Sequence, residues 1–268
     1  LRRVRMALKG ETMTDTFLFC GTGAADYAAP EEGKEFRKNT HSLLNDIILL
    51  DIGGMTYRFE DDAVLRARFA KVRHVLVTHT HSDHFSPQAL ERLAEDNGQI
   101  CVYIDANAIS LVPQNAHITV VPVSDGQTVR FDGYTVHVLS SNHQGDLPEE
   151  HTHHYAVDTP SGKTLFYGLD GAWLKMDVGQ FLMQHPADLM ILDATSGVPN
   201  DYRSFEHNTV AMLRVLVPAI RANKMVKPDG VIFADHLART LYPGHTAASA
   251  LLSKIGMQTA YDGLCIEF

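Results

Sequence analysis

The sequence predicts one α/β domain built as a four-layer αββα sandwich, and three observations carry that expectation. Apolar residues make up 45% of the 268 positions and charged residues 21%, proportions that suit a sizeable core and do not suit a disordered chain. Short apolar runs bounded by Gly, Asn, Asp and Pro recur along the chain and read as strands. Helical patterns come in both halves, interleaved with those runs. Sheets and helices must each bury an apolar face, and two facing sheets with helices outside satisfy both. Residues 13–268 form this domain. Residues 1–12 are expected to be a mobile extension, because Arg2, Arg3, Arg5 and Lys9 accompany no apolar stretch of the secretory kind.

The elements follow in order. Residues 16–20 are a short strand running into Gly21-Thr22-Gly23. This turn is not a dinucleotide fingerprint, since Asp26 replaces the third glycine and no helical pattern follows. Residues 43–44 and 47–50 pair as strands around an Asn45-Asp46 turn and end at Asp51-Ile52-Gly53-Gly54. Residues 61–69 read as a helix and 72–78 as a buried strand. Ser86-Pro87 then offers an N-cap and a proline at the first helical position, for a helix to about residue 96 that stops before Gly98. Strands are expected at 100–104, 118–121, 128–131, 134–139, 155–157, 164–167, 189–192, 231–234 and 264–266. Helices are expected at 208–222 and 246–255.

Composition limits the function. Twenty-three basic against 32 acidic side chains leave a net charge of −9, which argues against broad binding to nucleic acid or an anionic membrane. No apolar run reaches the roughly 18 residues of a membrane-spanning helix. Cys20, Cys101 and Cys265 are far apart and form no C-x-x-C pair, so a disulfide framework or cysteine zinc site is not expected. Each lies beside an apolar run and reads as a buried reduced thiol, in a cytoplasmic protein. Histidine, in contrast, occurs 15 times, and imidazole is the commonest protein metal ligand.

These histidines are grouped. The buried strand at 72–78 runs straight into His79-Thr80-His81-Ser82-Asp83-His84. Residues i and i+2 of an extended segment project to one side, so His79 and His81 can hold one ion together. Asp83 and His84 fall on the following turn, within reach of a second ion. His143, Asp170 and His236 each follow an apolar strand, so all can converge on one rim of the sandwich. Borderline divalent ions favour such a mixture of imidazole and carboxylate.

His-x-His-x-Asp-His, followed by His143, Asp170 and His236 in that order, resembles the metallo-β-lactamase superfamily, from Thr16 to Phe268. The resemblance implies the αββα fold and a dinuclear hydrolase. His79, His81, His143 and Asp170 would hold the first ion, and Asp83, His84, Asp170 and His236 the second, with Asp170 bridging. Two divalent ions are implied, zinc favoured and manganese or iron as alternatives, about 3.5–4 Å apart with a bridging water or hydroxide as nucleophile.

Gly21-Thr22-Gly23-Ala24, Arg37 ahead of Ser42-Leu43-Leu44, and Asp193-Ala194-Thr195 followed by His207-Asn208-Thr209 resemble the ribonuclease Z and cyclic phosphodiesterase branch. In that branch the last two motifs read Glu-Ala-Thr and His-Ser-Thr. The match makes His207 a candidate proton donor to the leaving oxygen, beside the reading of a helix-start residue donating to its own first turn. Asp83 and His207 are thus the catalytic candidates. The chain departs from the branch in having Asp193 for glutamate and Phe85-Ser86-Pro87 for the usual glycine, and it shows no long Gly/Pro-rich insertion that would grip tRNA. Precursor tRNA is disfavoured, since binding a polyanion relies on Lys and Arg. A small anionic phosphodiester is the leading substrate. The His-Ser-Asp-His-Phe-Ser-Pro run also looks like branches that open lactones or other small esters, the alternative reading. A non-catalytic metal-binding protein is disfavoured because all seven ligand positions are filled. Homo-oligomerisation is left open.

The remaining histidines carry weaker expectations. His151, His153 and His154 either decorate a hairpin loop or line the pocket against an anionic substrate. His245 and Arg239 either contact an anion or belong to a helix start. His41 has no assigned role, and Trp173 reads as core or as a pocket wall.

Overall fold

Two seven-stranded sheets form the inner layers of the computed structural model, which describes residues 14–25, 37–54 and 67–268. The first sheet contains β1 (Thr16–Gly21), β2 (His41–Leu44), β3 (Ile48–Leu50), β4 (His74–Leu76), β5 (Ile100–Asp105), β6 (Ile118–Val123) and β14 (Cys265–Glu267), ordered β14-β1-β2-β3-β4-β5-β6. The second contains β7 (Thr128–Phe131), β8 (Tyr134–Gln144), β9 (His151–Asp158), β10 (Thr164–Gly168), β11 (Ala187–Asp193), β12 (Val226–Asp235) and β13 (Gln258–Thr259), ordered β13-β12-β11-β10-β9-β8-β7. Pairing is parallel along β3-β4-β5-β6 and β10-β11-β12-β13, and antiparallel elsewhere.

Three apolar clusters fill the three spaces between four layers. Alternation along the strands assigns each residue to its space. In β1, Phe17 and Phe19 enter the space between the sheets, while Leu18 and Cys20 face outward. In β11, Leu189 and Ile191 enter the same space, while Met190 and Leu192 face the outer helices. Helix α1 (Pro87–Asn97) covers the first sheet through Leu90, Leu93 and Ala94. Helices α2 (Met176–Gln184), α3 (Val210–Ala222) and α4 (His245–Ser253) cover the second through Val178, Leu182, Leu213, Ile220 and Leu252.

Local signals are realised where they were strongest. Asn45 and Asp46 take φ 53° and 58°, the doubly left-handed turn that joins two antiparallel strands without splaying them. The Ser86 side chain accepts the Ala89 N–H and caps α1, which ends at Gly98 with φ 74°.

Other expectations need correction. Helix α2 and strand β13 were not anticipated, and β8 and β9 are longer than expected. His143 therefore sits on β8 itself, and His151, His153 and His154 lie on β9 rather than in the hairpin loop. All three cysteines are free, but only Cys20 is buried and Cys265 is exposed. Most of the helix expected at 61–69 lies outside the described residues, as does the extension at 1–12; residues 67–69 are helical. Among the described residues, no helix is long and apolar enough to cross a membrane.

Candidate metal centre

Strand ends of both sheets meet at one rim. Beyond β4 the chain enters residues 79–84, and the second sheet fixes this departure: Tyr155 Oη donates to the Val77 carbonyl (2.6 Å) and the His153 N–H to the Thr78 carbonyl (2.9 Å). The register of β8 shifts between Ser140 and Gln144, where His143 lies. Asp170 follows β10 and His236 follows β12, with φ 53° and 56°; Asp51 follows β3 with φ 60°. Left-handed backbone is uncommon for residues other than glycine and persists where its surroundings hold it. The Asp170 turn is held by Ser141 Oγ on the Asp170 carbonyl (2.6 Å), by Asn142 on both backbone groups of Ala172, and by Asn208 on the Gly171 carbonyl and the Trp173 N–H.

Eight donor atoms form two groups. In the first, His81 Nδ1 lies 3.0 Å from His79 Nε2 and 3.1 Å from His143 Nε2, and these two Nε2 atoms lie 3.6 and 3.5 Å from Asp170 Oδ2. In the second, His84 Nε2 and His236 Nε2 are 3.1 Å apart, each is 3.1 Å from Asp170 Oδ1, and they lie 3.7 and 3.3 Å from Asp83 Oδ2. Four donors bound tetrahedrally to one ion at about 2.0–2.1 Å would lie about 3.4 Å apart, and both groups have that spacing. Asp170 supplies one oxygen to each group, and its Oδ1 is buried with no hydrogen-bond donor. The seven expected ligands thus come together as two sets that fit metal ions.

The outer ring nitrogens support the same fit. Asp51 Oδ2 can only accept, so His84 Nδ1, 2.8 Å away, donates to it. Thr78 Oγ1 spends its proton on Asp51 Oδ1 (2.9 Å) and can accept from His79 Nδ1 (3.0 Å). Thr195 Oγ1 spends its proton on Asp193 Oδ2 (3.1 Å) and can accept from His236 Nδ1 (2.8 Å). Each bond leaves the Nε2 lone pair directed into the centre, as partners of metal-binding histidines do. Asp51 and Thr78 went unrecognised in the sequence, although a carboxylate ending the strand beside the histidine motif was the available signal.

A cavity of about 190 Å³ opens over the two groups, lined in part by Asp83, Arg203, Glu206, His207 and Ala238. His207 is not a helix-start donor, since Thr209 caps α3. Its Nδ1 is 2.7 Å from Asp193 Oδ2, and its ring stacks on His236 with centroids 5.4 Å apart. Burial disfavours its charged form, but the Asp193 and Asp170 carboxylates outweigh burial and lift its pKa to about 9. Arg203 and Glu206 at this wall were not anticipated.

The other candidates lie elsewhere. His41 is fully buried in β2, its Nδ1 2.8 Å from the Asn39 carbonyl, and burial lowers its pKa to about 3. His151 is exposed, and His153 is buried between Asp105 and Asp125. His154 lies against Gly171, and burial lowers its pKa to about 4. Arg239 and His245 line a small separate cavity with Arg37, whose Nη2 is 3.0 Å from His245 Nδ1. Trp173 is 44% exposed, so it is not core, and it does not line the metal cavity.

Comparison with solved structures gives the same architecture. The metallo-beta-lactamase fold protein YhfI from Bacillus subtilis is 16% identical with a TM-score of 0.74, the match covering 96% of this chain and all 100% of that one. Human tRNase Z, short form, is 17% identical at TM-score 0.63, covering 94% and 98% of the two chains. Yeast PDE1 is 8% identical at TM-score 0.66, covering 95% and 99%. At such identities the likeness is one of fold. No functionally curated protein matches the sequence. The profile of the beta-lactamase superfamily domain, however, matches residues 49–237, a span that holds all seven metal-ligand candidates, and the chain therefore belongs to the beta-lactamase superfamily.

Proposed function

We propose that this metal-dependent hydrolase cleaves a small phosphodiester at a two-ion centre, with zinc the favoured metal and manganese or iron as alternatives. The observation that carries the reading is His207 on the cavity wall beside the ligand groups, backed by the buried Asp193. When bound, paired divalent ions acidify a water molecule and neutralise charge on phosphoryl oxygens. The chain's own residues supply the rest. Asp193 Oδ2 engages Nδ1 of His207, while Asp193 Oδ1 accepts the Asn208 N–H (3.0 Å). The imidazole is thereby fixed with its other nitrogen available to protonate a leaving oxygen. The cavity's 190 Å³ falls below the roughly 300–1,000 Å³ that enclose drug-sized ligands. It suits a phosphoryl group whose substituents project past the mouth. The net charge of −9 disfavours a long polyanion such as tRNA, and the names of two fold neighbours, tRNase Z and PDE1, point to phosphodiester chemistry.

The test is a turnover screen of metal-reconstituted protein on bis(p-nitrophenyl) phosphate, cyclic nucleotides and lactones. His207→Ala is then compared on matched alkyl and p-nitrophenyl phosphodiesters. Loss of general acid catalysis should cost kcat about a hundredfold to ten-thousandfold on the alkyl ester, and far less on p-nitrophenolate, which leaves unaided. Equal losses would remove His207 from the acid role. Lactone hydrolysis without any phosphodiesterase activity would establish the alternative, an ester or lactone hydrolase on the same ligands.

A further inference from the structure

The first ligand group has a weak point. His79, His84 and His236 are each steadied through the outer ring nitrogen, by Thr78, Asp51 and Thr195. In the first group, His143 Nδ1 has no hydrogen-bond partner and lies 3.8 Å from Glu206 Oε2. His81 differs further, because it turns Nδ1 inward and its outer Nε2 lies 3.5 Å from Asp146, whose side chain is 58% exposed. Nδ1 is two bonds from Cβ where Nε2 is three, so an ion held at Nδ1 sits closer to the main chain and the backbone at 80–81 bears directly on its position.

That backbone is held from the other sheet. Glu150, buried in the loop ahead of β9, accepts the Thr80 N–H at Oε1 (2.7 Å) and the Thr80 hydroxyl at Oε2 (2.5 Å). The same carboxylate lies 3.4 Å from the Leu147 N–H of its own loop. Gly145 packs so closely on it that a Cβ there would lie 2.3 Å from Oε2. A buried carboxylate persists only where donors satisfy it, and two of these donors belong to the residue between His79 and His81.

We propose that Glu150 is a positioning residue for the first ligand group, acting through Thr80 to set where His81 Nδ1 points. The assignment rests on the two-ion reading of the site. It is tested by titrating metal-free protein with Zn²⁺ against a competing chelator, in wild type, Glu150→Ala, Glu150→Gln and Thr80→Val. Loss of such an outer partner costs roughly 10- to 100-fold in metal affinity. Glu150→Ala should weaken one binding step by that factor and leave the other within about twofold. Glu150→Gln keeps an oxygen for the Thr80 N–H and should recover most of the loss, whereas Thr80→Val should move the same step in the same direction. The weakened step should persist in a His236→Ala background, which breaks the second group, and vanish in a His143→Ala background, which breaks the first.

Equal weakening of both steps, or unchanged affinities with only a lower Tm, would overturn the proposal and leave Glu150 as a brace of the fold. Should Glu150→Ala not fold, Glu150→Gln and Thr80→Val decide: affinities equal to wild type in both would overturn it. A wild type that takes up a single ion would end the two-ion reading separately. The proposal then stands if the variants weaken that ion and falls if they do not.

Discussion

Asp170 is the one side chain that contributes to both ligand groups, with Oδ2 facing His79 and His143 and Oδ1 facing His84 and His236. Asp170→Ala should therefore be the most damaging single ligand change and abolish uptake of both ions. His143→Ala should empty mainly the first site and His236→Ala mainly the second. Metal analysis of reconstituted protein checks this, with wild type approaching two equivalents. Retention of both ions and near-normal turnover by Asp170→Ala would disprove the bridging role. Asp51 belongs to the same scale, since its two oxygens serve His84 Nδ1 and the Thr78 hydroxyl. Asp51→Ala should weaken metal binding about 10- to 100-fold without removing a ligand.

Among the elements, the turn after β3 packs directly under the metal loop. Gly53 leaves no room for a side chain, because its Cβ would lie 2.0 Å from the Asp83 carbonyl oxygen. The obstacle is backbone, so no rotamer relieves it. Gly53→Ala should displace the Asp83 turn, destabilise the protein by about 1–3 kcal/mol as overpacking does, and weaken the second ion more than the first. Leu213→Ala provides the contrast. Leu213 is fully buried where α3 covers the second sheet, and its truncation should cost about 2–5 kcal/mol while leaving metal stoichiometry unchanged. Chemical denaturation and metal counting on the two variants separate the effects.

At the scale of the whole molecule, the N-terminal and C-terminal parts of the chain are joined through Asp262. Its carboxylate accepts the Thr22 hydroxyl and the Lys38 N–H, both at 2.7 Å. Burial raises its pKa from 3.8 to about 6, with those hydrogen bonds opposing the shift. The folded state therefore holds this proton more tightly than the unfolded chain. The resulting stability is fully present below about pH 4 and is lost as pH rises through about 6. Two pKa units correspond to about 3 kcal/mol. Between pH 4 and 7, wild type should lose about that much stability relative to Asp262→Asn, which cannot titrate. Denaturation of both proteins across this range, in the same metal-loaded state, checks the sign, and parallel curves would refute it.

Much of this protein is legible in its sequence because the signals are local. The β2–β3 turn follows from Asn45-Asp46, α1 from Ser86-Pro87 and Gly98, and the layers from period-two alternation such as Phe17 and Phe19 against Leu18. The seven ligand candidates were identifiable by residue type, motif spacing and their places at or just after strands. Helix α2 was not legible: it lacks a side-chain cap and carries Gly179 within it, and its support is tertiary, from Val178 and Leu182 in the core and from Ser140 on Asp177 (2.6 Å). The lengths of β8 and β9 likewise depend on pairing with neighbours rather than on their own composition. The fold alone also assigns the partners of the site residues: Asp51 to His84, Asp193 to His207, and Glu150 to Thr80 across 70 positions of chain. A hydrogen bond acts over about 3 Å, and which distant groups come that close is decided only when the sheets pack.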